Sequence, residues 1–246
     1  MAILLPCANS GADTHEWKVR MRLTVVLFDG YTALDIVGGY EVLANVPGVE
    51  TEFAAESTGV VAADTGRLGI SAWRRFDEVE STGILYVPGG PGVAAMVRNE
   101  AFLSHLSRLH ASSKWTIGIC NGVQLLGAAG LLKGKEVTTN FFAREHVAAY
   151  GALVQHKRYH CDGKLITGAG VSASIDAGLY LAGLLAGEQI ARVIQLGIEY
   201  YPDPPFGSGN PDDQPKAAKG IIRQFEETSE LRMASRTIFC NSQCCL

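Results

Sequence analysis

The chain has 246 residues, 47% of them hydrophobic and 19% charged, enough apolar material for one sizeable core. Its formal net charge of −4 gives no basic footprint for nucleic-acid phosphates or anionic lipid, so a small-molecule partner is expected and neither nucleic acid nor membrane is. Cys7, Cys120, Cys161, Cys240, Cys244 and Cys245 form no regular framework and read as reduced thiols.

The start, Met1 to Pro6, lacks a basic region and is too short for a signal peptide or membrane span. The last four residues, Gln243-Cys244-Cys245-Leu246, place no cysteine where prenylation needs one. A cytoplasmic protein is expected. Residues 1–21 lack periodicity and read as a loose extension, residues 22–213 as the folded domain, and residues 214–246 as a C-terminal helix and tail.

The run Leu23 to Phe28 is short, almost wholly apolar and rich in branched residues, which suits a strand covered on both faces. A helix follows with Ile36, Tyr40 and Leu43 on one side, and Pro47-Gly48 stops it. Residues Glu50 to Ala55 and Gly66 to Phe76 read as strands of a β-rich insertion. The run Gly83 to Val87 is a buried strand that must turn sharply at Pro88-Gly89-Gly90-Pro91-Gly92. A helix carrying Phe102, Leu106 and Leu109 leads to strand Thr116 to Ile119 and then to an apolar helix from Gly122 to Leu132.

Leu153 to His160 and Lys164 to Thr167 flank Cys161-Asp162-Gly163, a hairpin signal, and apolar helices follow at 173–186 and 188–200. Tyr201 to Pro215 is dense in Pro, Gly and Asp and reads as a loop, with an amphipathic helix over 216–234. Such alternation implies an α/β fold with a mostly parallel sheet between helices.

Ligands of open α/β sheets gather at the carboxyl ends of strands. Cys120 sits there in Gly118-Ile119-Cys120-Asn121-Gly122, the glycine spacing of a nucleophile elbow, where a following helix would lower the thiol pKa. A buried structural thiol is the alternative. Gly89 and Gly90 end another strand, where a backbone N–H could face a developing anion. Asp35 lies in the first turn of its helix, with a plain N-cap as the alternative reading. His146, His156 and His160 show no metal-ligand spacing, and no phosphate-binding or dinucleotide fingerprint occurs, so no metal or nucleotide cofactor is expected.

Together, Pro88-Gly89-Gly90, the elbow with Leu125 to Leu132, and Thr138-Thr139 resemble the DJ-1/PfpI (ThiJ) superfamily. Within it, Leu34-Asp35, Ile166 to Gly170 with Ile175-Asp176, and Glu199 to Phe206 look like the isocyanide hydratase branch. The resemblance implies a flavodoxin-like three-layer sandwich, a homodimer and no cofactor. It assigns Cys120 as nucleophile and Asp35 as acid/base, with Gly90 and the backbone of Cys120 and Asn121 stabilising an anion. The implied reaction hydrates an isocyanide to an N-substituted formamide through a Cys120 thioimidate.

This chain departs from that branch at Asn121, where Thr is usual, and at Asn140-Phe141, where His-Trp is usual; all three should border the pocket. Those departures leave other readings open: a cysteine enzyme for a 2-oxoaldehyde or another electrophile, or a ligand or redox sensor.

Overall fold

The computed structural model describes residues 20–243, with side chains through residue 231. The expected extension, Cys7, Cys244 and Cys245, and the side chain of Cys240 therefore lie outside the described residues. Cys120 and Cys161 are free thiols.

The elements follow in chain order as β1 (Met21–Val26), α1 (Ala33–Leu43), β2 (Val49–Ala55), β3 (Gly59–Ala62), β4 (Gly69–Ala72), β5 (Arg74–Arg75) and β6 (Ile84–Val87). Next come α2 (Val93–Met96), α3 (Glu100–Ser112), β7 (Trp115–Ile119), α4 (Val123–Ala128), β8 (Glu136–Val137), α5 (Arg144–Ala149) and β9 (Leu153–Val154). The chain continues through β10 (Tyr159–Asp162), β11 (Leu165–Gly168), α6 (Ala173–Ala186), α7 (Glu188–Gly197) and α8 (Lys216–Gln243).

Seven strands form one sheet in the order β10-β11-β7-β6-β1-β2-β5, parallel throughout except where β10 runs against β11. This is the α/β fold read from the sequence. The apolar runs at β1, β6 and β7 are its middle, and Leu23, Val25, Ile84, Leu85, Ile117 and Ile119 are almost wholly shielded from water. From β1 the chain moves outward to β2 and returns to place β6 on the other flank. Right-handed crossovers then put α1 and α3 on opposite faces. Helix α1 packs on α6, and α6 on α7; α3 packs on α4. The reversal beside β1 opens a crevice at the carboxyl ends of β1, β6 and β7.

Several boundaries differ from the expected ones, each for a local reason. The helix expected to reach Leu132 stops at Ala128, because Gly130 turns left-handed at φ 79° and Leu131 N–H bonds back to the Leu126 carbonyl at 3.0 Å. The last α/β helix ends at Gly197 rather than residue 200, just before Glu199 adopts φ 49°. Strands β3 and β4 form a separate antiparallel hairpin, and β3 carried no sequence signal. Helix α8 runs to Gln243, nine residues past the expected end at 234. Among the described residues, no helix is long and apolar enough to cross a membrane.

Candidate active site

Cys120 follows β7 directly and opens a single 3-10 turn, Cys120–Gly122, ahead of α4. Its φ of 57° is left-handed, a conformation that costs a non-glycine residue about 1–3 kcal/mol and so must be imposed by its surroundings. Thr139 Oγ1 donates to the Cys120 carbonyl at 2.7 Å. A Cβ on Gly122 would stand 2.3 Å from the Pro88 carbonyl oxygen, so glycine there lets the loops after β6 and β7 close on one another. The elbow read from the glycine spacing is thus present.

Cys120 is only 5% exposed, and its sulfur is held by a side-chain donor. Asn140 Nδ2 donates to Sγ at 2.9 Å, while Asn140 Oδ1 accepts the Ala143 N–H at 3.1 Å. That second bond orients the amide, leaving only its NH2 end to face sulfur. The Asn121 backbone N–H also favours negative charge on the sulfur.

These donors do not lower the thiol pKa as the sequence suggested. Burial pushes Cys120 well above the ordinary thiol range, the Asp35 carboxylate adds to the rise, and the Asn121 and Asn140 donors offset only part of it. The expected stabilisation by a helix terminus is outweighed because α4 is only six residues long and starts three residues after the cysteine.

Asp35 projects from the first turn of α1 and is completely buried. The N-cap alternative falls, because the capping position is Thr32 and Asp35 Oδ2 instead accepts the Gly89 N–H at 2.7 Å. Burial lifts its pKa to about 8; the Gly89 N–H pulls the other way, and the Asp64 and Glu226 carboxylates add to the rise. Asp35 therefore carries a proton at neutral pH. With Oδ2 occupied as an acceptor, the proton belongs on Oδ1, which has no partner among the described residues. Beneath it, Tyr86 donates to the Asp35 carbonyl at 2.5 Å.

The Pro88-Gly89-Gly90 turn plays a different part from the one expected. Gly89 N–H is committed to Asp35, and Gly90 N–H to Asn121 Oδ1 at 2.7 Å, with Asn121 Nδ2 returning to the Gly90 carbonyl at 3.1 Å. Neither N–H is free for an anion. Gly90 instead seats Asn121, and its φ of 133° and the 2.3 Å gap from a would-be Cβ to the Gly30 carbonyl explain the glycine.

Cys120, Gly90, Asn121, Asn140 and Phe141 all line one open cavity of about 1230 Å³, whereas Asp35 and Gly89 lie behind its wall. Phe141 and Phe142 form an edge-to-face pair with centroids 5.4 Å apart along one side. Also on the lining, Arg158 binds Asp176 at 2.5 Å and Ser172 at 3.0 Å, and Tyr200 donates to the same Asp176 carboxylate at 3.2 Å. That knot ties the loop beginning at Tyr200 to α6, which is the physical content of the Ile175-Asp176 and Glu199 to Phe206 motifs. His156 meets the cavity too, but is paired with Asp212 at 3.1 Å.

Sequence reasoning did not foresee the contribution of α8, whose Lys219, Ile222 and Glu226 line the same cavity. Their i, i+3, i+7 spacing marks one helical face, but spacing alone says nothing of what that face meets.

The profile of the DJ-1/PfpI family matches residues 21–182. The isonitrile hydratase of Pseudomonas putida is 36% identical over 204 residues, which is 83% of this chain and 89% of that protein. The crystal structure of a ThiJ/PfpI family protein from Pseudomonas syringae superposes with a TM-score of 0.80 at 29% identity, covering 91% of this chain and 97% of that one. Drosophila melanogaster DJ-1beta shares the fold at 20% identity, with a TM-score of 0.67 over 75% of this chain and all of that one.

Proposed function

We propose, from the premise that this chain belongs to the DJ-1/PfpI family, that it adds water to an isocyanide and releases an N-substituted formamide. One observation carries the reading: Cys120 is held in a left-handed elbow on the cavity lining with Asn140 Nδ2 donating to its sulfur at 2.9 Å, and the completely buried Asp35 keeps an Oδ1 without a partner among the described residues. The 36% identity to an isonitrile hydratase supports the choice of substrate.

The terminal carbon of an isocyanide is basic, so a neutral carboxylic acid is the group that can activate it. In the proposed reaction the slim R–N≡C terminus enters past Cys120 to reach the unpartnered Oδ1 of Asp35, which gives its proton to that carbon, and the Cys120 sulfur bonds to the same carbon as the thiol proton passes to the Asp35 carboxylate. The product is a thioimidate, R–N=CH–S–Cys120, with Asp35 protonated again. Water then adds its oxygen to the carbon and a proton to nitrogen, the C–S bond breaks, and R–NH–CHO leaves as the sulfur regains a proton. Covalent catalysis and a positioned acid/base are both used. Asn140 and the Asn121 N–H steady the sulfur whenever it carries negative charge.

The test is intact-mass analysis and product identification with a panel of isocyanides and 2-oxoaldehydes, using wild type, Cys120→Ala and Asp35→Asn. The proposal expects formamide from wild type only. Isocyanides left unchanged, with no adduct on Cys120, would overturn it, and turnover surviving Cys120→Ala would exclude any covalent route.

A further inference from the structure

Helix α8 lies beyond both the profile match and the part of the chain that carries the motifs, yet it walls the cavity above Cys120. Lys219, Ile222 and Glu226 line it, Ile222 being 45% exposed, while Ile221 and Phe225 do not line it and are 68% and 64% exposed. The charges on the inward face are not equivalent. The Glu226 carboxylate is felt by both Asp35 and Cys120, whereas Lys219 influences neither. Asp64 adds charge of the same sign at Asp35 and is tied to the cavity by Thr32 Oγ1, which donates to it at 3.0 Å.

Arg144, Lys157, Arg158 and Lys219 also line the cavity, with Arg144 bound to Asp212 at 2.7 Å and Arg158 to Asp176 at 2.5 Å. No lysine or arginine is among the groups that act on Cys120 or Asp35. Of the charged side chains that line the cavity, Glu226 is the one whose charge acts on the sulfur, and Ile222, Phe141 and Phe142 give the same lining its apolar surface.

We infer that α8 is the specificity wall of this site, with Glu226 selecting uncharged electrophiles over anionic ones and Ile222 receiving an apolar substituent. The inference rests on Cys120 being the nucleophile of the proposed hydratase. It does not depend on the isocyanide itself, so it can fail or stand separately from that substrate.

The experiment compares alkylation of Cys120 by neutral iodoacetamide and anionic iodoacetate. In both, sulfur bonds to the CH2 carbon, the C–I bond breaks, iodide leaves, and the thiol proton goes to buffer. Rates are read by peptide mass at Cys120, because the chain has six cysteines, with glutathione giving the ratio for a free thiol. Wild type should favour iodoacetamide more strongly than glutathione does. Glu226→Gln should reduce that preference roughly fivefold, the effect of one nearby charge in a partly solvated cavity. Glu226→Lys should carry it past the glutathione ratio, which unfolding cannot mimic. Ratios equal to wild type in both variants, or equal changes with both reagents, would overturn the inference while leaving Cys120 as nucleophile. A Cys120 inert to both reagents even at alkaline pH, where the thiol ionises, would overturn the nucleophile assignment as well.

Discussion

Asp35→Asn should make the protein more stable while abolishing turnover, and the gain should grow with pH. In the unfolded chain the carboxyl titrates near 3.8, whereas in the folded chain burial holds it at about 8. Between those values the folded state keeps a proton that the unfolded state has lost, so stability falls as pH rises, by about 1.4 kcal/mol per pH unit. The stabilising side of this linkage is fully present below 3.8 and is lost progressively by the time pH passes 8. Asparagine titrates in neither state and escapes the penalty, which amounts to about 2 kcal/mol at pH 5 and about 5 kcal/mol at pH 8. Its amide oxygen can still accept the Gly89 N–H that now bonds to Oδ2 at 2.7 Å. For a chain of this size each kcal/mol raises Tm by about 2–4 °C. Thermal and urea unfolding of both proteins at pH 5 and pH 8 measure the difference. A gain that is absent, or no larger at pH 8 than at pH 5, would refute a raised pKa at Asp35.

Under the proposed reaction, hydration by wild type should fall as pH rises through about 8, because Asp35 would then have lost the proton that the reaction has it donate; a kcat/KM profile over pH 6 to 10 checks the direction. Cys120→Ala should fold normally and lose at least about 1000-fold in kcat/KM, measured by formamide release. Asn140→Ala removes a donor 2.9 Å from the sulfur. It should slow Cys120 alkylation about 10-fold or more at neutral pH and push the pH midpoint of that reaction upward. Gly90→Ala forces a Cβ to within 2.3 Å of the Gly30 carbonyl at a left-handed residue, and urea unfolding should show a loss of about 2–4 kcal/mol.

The sheet could be read from the sequence because its middle strands are buried on both faces, and double burial writes almost wholly apolar runs at Leu23 to Val26, Ile84 to Val87 and Ile117 to Ile119. The elbow was legible because its backbone needs small neighbours, so Gly118 and Gly122 bracket Cys120 at fixed spacing. Hairpin β3–β4 was missed on its first strand, since Val60 is 75% exposed and the segment carries no inward apolar row.

Charge states were misread for a related reason. Spacing shows that a cysteine precedes a helix, but not how deeply it is buried, and burial is the larger influence on both Cys120 and Asp35. The commitment of Gly90 N–H to Asn121, and the face α8 turns to the cavity, depend on contacts across 31 residues and more than 90 residues of chain respectively, which local patterns do not encode.

The raised pKa values at Cys120 and Asp35 bear on why this chain has Asn140 where a titratable histidine is usual in the branch it resembles. A histidine 2.9 Å from the sulfur could take the thiol proton and create a thiolate–imidazolium pair. Asparagine can only donate a hydrogen bond. With it the pair stays neutral, thiol beside carboxylic acid, until a substrate basic enough to accept the Asp35 proton arrives. A substrate whose carbon does not take up that proton leaves the thiol protonated and a weak nucleophile, so the order of proton transfer and attack would itself discriminate. Under the proposed function, Asn140→His should therefore raise the reactivity of Cys120 toward general alkylating agents more than toward isocyanides, and a larger gain for isocyanides would contradict this order of steps.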